Sequence, residues 1–196
     1  MKLIVFVEDS YGVEFHRVVL DKLYRAGLLH GGRRPEVRHL PAKKCNPAVF
    51  RKMLGAVFRE VRSGGAWRIL VIDSEGRPPR EAVESDILRH VRRHRERFRV
   101  IAVVPRHEAW LCRGLGGDRG GCRSRPEGFL SRYAGRPYDR KTKHLLAELA
   151  RGMDVCRLIG EEDFVEYLAG LCWLLGDRGA FCKELAGHGR IGRRVC

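Results

Sequence analysis

No stretch of the 196-residue chain is apolar for long enough to cross a bilayer. At its start a single Lys2 precedes an apolar segment with no small-residue cleavage site after it, unlike a secretory signal. A cytoplasmic protein without a membrane partner is the expectation. The seven cysteines include no CxxC pair, which argues against a zinc ribbon or knuckle. Cys172, Cys182, His188 and Cys196 form a zinc set only on paper, at spacings that match no standard pattern. In a mesophile cytosol the cysteines would be buried thiols, and in a hyperthermophile some would be paired; an odd count leaves at least one free. There are no internal repeats, and no glycine-rich phosphate loop follows the first apolar segment, which disfavours an enzyme of small phosphorylated metabolites.

Acid is the other shortage. Against 24 Asp and Glu stand 39 Lys and Arg, a formal charge of +15. Such an excess repels itself unless a polyanion is present, and phosphate backbones are the usual one. Arginine greatly outnumbers lysine, which suits bidentate phosphate contacts. Thermal adaptation or an acidic protein partner are other sources of the same imbalance. Apolar residues make up 44% of the chain, enough for a globular core, and the length fits one domain with an appendage.

The scarce carboxylates are not scattered. Ile69-Leu70-Val71-Ile72 has no helical period and lies between Gly64-Gly65 and Gly76-Arg77-Pro78-Pro79, so it reads as a strand buried on both faces. Asp73 and Glu75 follow it. If the backbone stays extended, side chains at i and i+2 point the same way and both carboxylates face one ion, an arrangement suited to a hard divalent cation such as Mg²⁺. Residues 3 to 7 form a second apolar run, which ends in Glu8-Asp9-Ser10. A third, Val100 to Val104, leaves through Pro105-Arg106 into His107-Glu108. Between these runs Phe15, Val18, Val19 and Leu23 mark one helix, Asn46 caps another, and Ala82, Val83, Ile87, Leu88 and Val91 mark a third. Glu36 to Leu40 alternates like an edge strand.

This alternation predicts an α/β fold: a mostly parallel four-stranded sheet with helices on both faces, plus a C-terminal helical annex. Residues 1–112 would be the α/β domain, 113–139 a Gly/Arg-rich loop or insertion, and 140–196 C-terminal helices and a basic tail on the same domain. Three groups of arginine and lysine are candidates for nucleic-acid contact. Arg89, Arg92 and Arg93 end the third helix, where cations also favour the helix dipole. Arg119, Arg123 and Arg125 flank Phe129 and Tyr133 in the glycine-rich stretch, which reads first as a flexible solvated insertion and second as a track for a nucleic-acid strand. Lys141 and Lys143 follow it.

A first strand ending in Val7-Glu8-Asp9-Ser10, then a helix, then a strand ending in Ile72-Asp73-Ser74-Glu75-Gly76 resembles the Toprim domain of topoisomerases, bacterial primases and the overcoming-lysogenization-defect family of nucleases. The shortened His107-Glu108-Ala109-Trp110-Leu111 and the later Lys141-Thr142-Lys143 are similar to elements of small stand-alone Toprim-like proteins. Asp9 stands where that family has glycine, and Glu75 where it usually has aspartate. The resemblance implies Mg²⁺ or Mn²⁺ as cofactor, held by Asp73 and Glu75 with Asp9 and Glu108 as further ligands. It also implies Glu8 as general acid/base, and nucleic acid, DNA or RNA, as partner. The expected function is a Mg²⁺-dependent nuclease or related phosphotransfer enzyme acting on phosphodiesters. The alternative is a non-catalytic nucleic-acid-binding protein with the same fold, in a ribonucleoprotein or defence complex.

Overall fold

A computed structural model describes residues 2–30, 32–40, 52, 55, 57, 67–87 and 98–188. Four strands, β1 (Leu3–Val7), β2 (Glu36–His39), β3 (Trp67–Asp73) and β4 (Phe98–Val103), form one sheet in the order β2-β1-β3-β4. Every pairing is parallel, with Val7 beside His39 and Val71, and Asp73 beside Val103. The fold is α/β, as the alternation predicts.

Side chains alternate across the sheet and bury both faces. Val5, Val7, Ile69, Val71, Ile101 and Val103 enter one apolar core, and Ile4, Phe6, Leu70, Ile72 and Ala102 enter another on the opposite face. The first face is covered by α1 (Ser10–Arg25), whose Phe15, Val19, Leu20 and Leu23 are buried. On the second face, α2 (Pro79–Asp86) follows the turn after β3. Asn46 and the basic segment with Arg89, Arg92 and Arg93 lie outside the described residues; of the helix Asn46 would cap, residues 52, 55 and 57 are described as helical, and Val57 is buried in the second core.

After β4 come α3 (His107–Gly114), α4 (Arg119–Ser124), α5 (Pro126–Ala134), α6 (Leu145–Ala150), a 3₁₀ turn (Val155–Leu158), α7 (Glu162–Leu175) and α8 (Ala180–His188). Leu145, Leu146, Leu158, Phe164, Leu168 and Leu171 share the core of α1 and the first sheet face, so the annex is continuous with the α/β layer. Gly170 permits the close approach of α7, since a Cβ there would lie 3.3 Å from the Ile69 side chain.

The stretch 113–139 departs from the expected loop, because it carries α4 and α5. Asp118 caps α4 by accepting from the Gly121 N–H at 2.7 Å, Pro126 opens α5, and Gly135 closes it in the left-handed conformation. A Cys112–Cys122 disulfide joins α3 to α4, and Cys172–Cys182 joins α7 to α8. Cys156 is disulfide-bonded as well. The paired state is therefore the one present, and Cys172 and Cys182 are not available as thiolate ligands. No helix among the described residues is long and apolar enough to cross a membrane.

Candidate functional site

All four strands point the same way, so their carboxyl ends share one edge. The connection from β1 leads to β2 on one side and that from β3 to β4 on the other, so a crevice opens between β1 and β3 at this edge. Glu8 and Asp73 are the residues that follow or end these two strands. They meet there: the Asp73 backbone N–H lies 3.4 Å from Glu8 Oε2. At the end of β2, His39 Nε2 lies 3.2 Å from the Glu8 main-chain oxygen.

Two other acids join them. Asp9 is the N-cap of α1, and its Oδ1 accepts from the Gly12 N–H at 2.6 Å. Glu108, in the first turn of α3, is only 3% exposed. Lys143, in the turn before α6, lies between these acids, with Nζ 3.5 Å from Glu108 Oε1 and 3.7 Å from Asp9 Oδ2. Burial alone would lower the Lys143 pKa, but Glu108, Asp9 and Asp73 together raise it, so the ammonium is retained. Tyr138 borders the same acids. Its hydroxyl is buried without a hydrogen-bond partner, and burial followed by the charges of Glu108 and Asp9 raises its pKa.

Glu75 does not take the i, i+2 place an extended strand would give it. β3 ends at Asp73, the Ser74 and Glu75 N–H groups donate to the carbonyls of Val103 and Pro105, and Arg77 N–H donates back to Ser74. This turn puts Glu75 in the left-handed region, φ 55°, with its side chain exposed. Bonding to the segment after β4 overrides the extended backbone assumed for this pair.

The sequence pattern also missed a polar line beneath the edge. His107 Nδ1 donates to Asp73 Oδ1 at 2.7 Å, and the His107 backbone N–H reaches the same oxygen at 3.2 Å. The other side of the ring, Nε2, is 2.8 Å from His16 Nε2, and His16 Nδ1 is 2.9 Å from the Tyr167 hydroxyl. Burial by itself would lower the His107 pKa, but the charge and hydrogen bond of Asp73, with Asp9 and Glu108 beyond, lift it to about 9. Burial, then the charge of His107, hold His16 well below 6.5. His16 lies four residues before Leu20 and seven before Leu23, on the buried stripe of α1, and that position was the available signal.

Two arginines of α4 and one of α3 are engaged within the chain. Arg113, Arg119 and Arg123 each approach Glu161, a carboxylate only 3% exposed, at 3.0 Å. Arg119 also donates to the Gly160 carbonyl at 2.7 Å. These contacts tie α3 and α4 to the start of α7. Arg125 and Lys141 are exposed, and Lys143 faces the acids instead of open solvent.

As a cation site the edge offers hard carboxylate oxygens, the chemistry Mg²⁺ takes. No group of three or more His, Cys, Asp or Glu among the described residues is arranged to hold a metal ion. Glu8 and Asp73 adjoin through the Asp73 main-chain N–H, and Mg²⁺ needs only one or two carboxylates when it keeps waters and substrate oxygens in its shell. No family model, curated protein or solved structure matches the chain.

Proposed function

We propose that the carboxylate edge is the active site of a Mg²⁺- or Mn²⁺-dependent, Toprim-type nuclease or related phosphotransfer enzyme that acts on DNA or RNA. The observation that carries this reading is the approach of Glu8 to Asp73 across the β1/β3 crevice. The +15 charge supports a polyanionic substrate.

In this reading Asp73 and Glu8 would hold the ion, and the ion would supply charge stabilisation to the phosphoryl and leaving oxygens. The other roles belong to the chain itself. Lys143 balances Asp9 and Glu108 and keeps a cation beside the crevice. His107 holds Asp73 by its Oδ1. Glu8 either shares the ion with Asp73 or receives and delivers a proton, the duty its family resemblance implies. Arg125, Lys141 and the basic segment with Arg89, Arg92 and Arg93 would meet the phosphate backbone. Cytoplasmic placement belongs to the same proposal, and the disulfides fit a hyperthermophile cytosol, where intracellular proteins are disulfide-rich.

The test is incubation with labelled single- and double-stranded DNA and RNA, with Mg²⁺, with Mn²⁺ and with chelator. Metal-dependent cleavage that Asp73→Asn abolishes while affinity persists supports the enzyme. Tight binding with no cleavage under any condition leaves the non-catalytic nucleic-acid-binding protein. That second reading draws on one observation, the Lys143 ammonium already seated against Asp9 and Glu108.

A further inference from the structure

We infer that His16 and Tyr167, neither of which is at the carboxylate edge, are positioning residues that fix the tautomer and ring plane of His107 and through it the orientation of Asp73. The inference rests on the proposed nuclease site and names what holds its central carboxylate.

The line Tyr167–His16–His107–Asp73 takes one residue from each of α7, α1, α3 and β3. His16 and Tyr167 are fully buried and His107 is 2% exposed, so water does not substitute for a missing partner. Chemistry then limits the arrangement. His107 Nδ1 faces a carboxylate and must carry hydrogen. Only one hydrogen fits between the two Nε2 atoms, so one ring donates and the other accepts. Both directions leave every ring nitrogen paired, provided Tyr167 is present to close the far end. Remove its hydroxyl and His16 Nδ1 is orphaned in the core; remove His16 and His107 Nε2 is orphaned one step from Asp73.

The rings are also held in plane. His107 meets Phe15 edge to face at 5.7 Å, His16 at 4.9 Å and Trp110 at 6.1 Å. A merely space-filling histidine needs one partner, and apolar residues would fill this volume without desolvating two imidazoles. Here both nitrogens of both rings lie in one directed line that ends on Asp73. Because Oδ1 accepts twice from residue 107, rotation of that ring would swing the Asp73 carboxylate.

The test uses the full chain with ¹⁵N-labelled histidine, as wild type and as Tyr167→Phe, His16→Leu and His16→Gln. Long-range ¹H–¹⁵N correlations report the His107 tautomer without any need for activity. The expected result is an altered His107 signature in Tyr167→Phe and His16→Leu, partly restored in His16→Gln, whose amide replaces one ring nitrogen. With Mg²⁺ and a short oligonucleotide, kcat should fall roughly 10- to 100-fold in the first two at unchanged KM. A His107 signature identical to wild type in Tyr167→Phe, or a loss confined to KM, overturns the inference. Wild type that cleaves nothing while the His107 signature still responds overturns the nuclease reading alone.

Discussion

The Asp73 N–H lies 3.4 Å from Glu8 Oε2, so the ends of β1 and β3, 65 residues apart in sequence, are joined by one backbone-to-carboxylate contact. If both residues serve one ion, they act as a unit. Glu8→Gln and Asp73→Asn should each reduce metal-dependent cleavage by roughly 100-fold or more, and the double variant should be little worse than either. Single-turnover rates, measured beside binding of the same oligonucleotide, check this. Affinity should stay at the wild-type value.

Lys143 is partly exposed, whereas the Glu108 carboxylate it faces is buried. Lys143→Met removes the ammonium and should cost about 1–3 kcal/mol, below the figure for a fully buried pair. Adding Glu108→Gln should recover most of the loss. Tm values of the single and double variants measure the coupling.

Burial raises the pKa of Glu161, but hydrogen bonds and charge from Arg113, Arg119 and Arg123 prevail and lower it from its ordinary 4.5. A depressed carboxylate contributes stability above its unfolded pKa and loses it as pH falls through the folded value. Urea midpoints should therefore drop more steeply with acid in the wild type than in Glu161→Gln. The two curves should converge below the folded pKa. A Glu161→Gln curve as steep as that of the wild type would detach acid sensitivity from this cluster.

Asp163 Oδ2 accepts from the Val104 N–H and from Trp110 Nε1, both at 2.7 Å. Asp163→Ala orphans two donors in the core and should destabilise by about 2–4 kcal/mol. Asp163→Asn keeps an acceptor oxygen and should cost less. A lower urea midpoint at unchanged slope is the expected signature.

Each described disulfide joins residues ten apart in sequence. Closing a loop of that size restricts the unfolded chain by about 3 kcal/mol. Thermal unfolding with and without reductant, and in Cys112→Ala with Cys122→Ala, should show it. The Cys112 pair holds α4 beside Glu161, so its loss should also weaken the arginine cluster.

The strands were legible because parallel strands are buried on both faces and read as unbroken apolar runs. The acids after them were legible because carboxylates after such runs interrupt the pattern. Glu8 and Asp73 could be named from that alone. Their proximity could not, since it depends on β1 and β3 being neighbours. The extended i, i+2 geometry of Asp73 and Glu75 fails because hydrogen bonds to Val103 and Pro105, remote in sequence, turn the backbone, a turn that Gly76 signals. Between 113 and 139 the glycines mask the helix signals of the Asp118 cap and Pro126. His16 was hidden because a histidine on an apolar stripe resembles any core residue until its partners from α3 and α7 are known.

The uniform strand direction has a practical corollary. β1 begins at Leu3 and reaches the acids only after five residues, a span of about 17 Å. A surface tether attached through Lys2 would thus grip the rim opposite Glu8, leaving the crevice facing solution where long polynucleotides could approach an immobilised molecule.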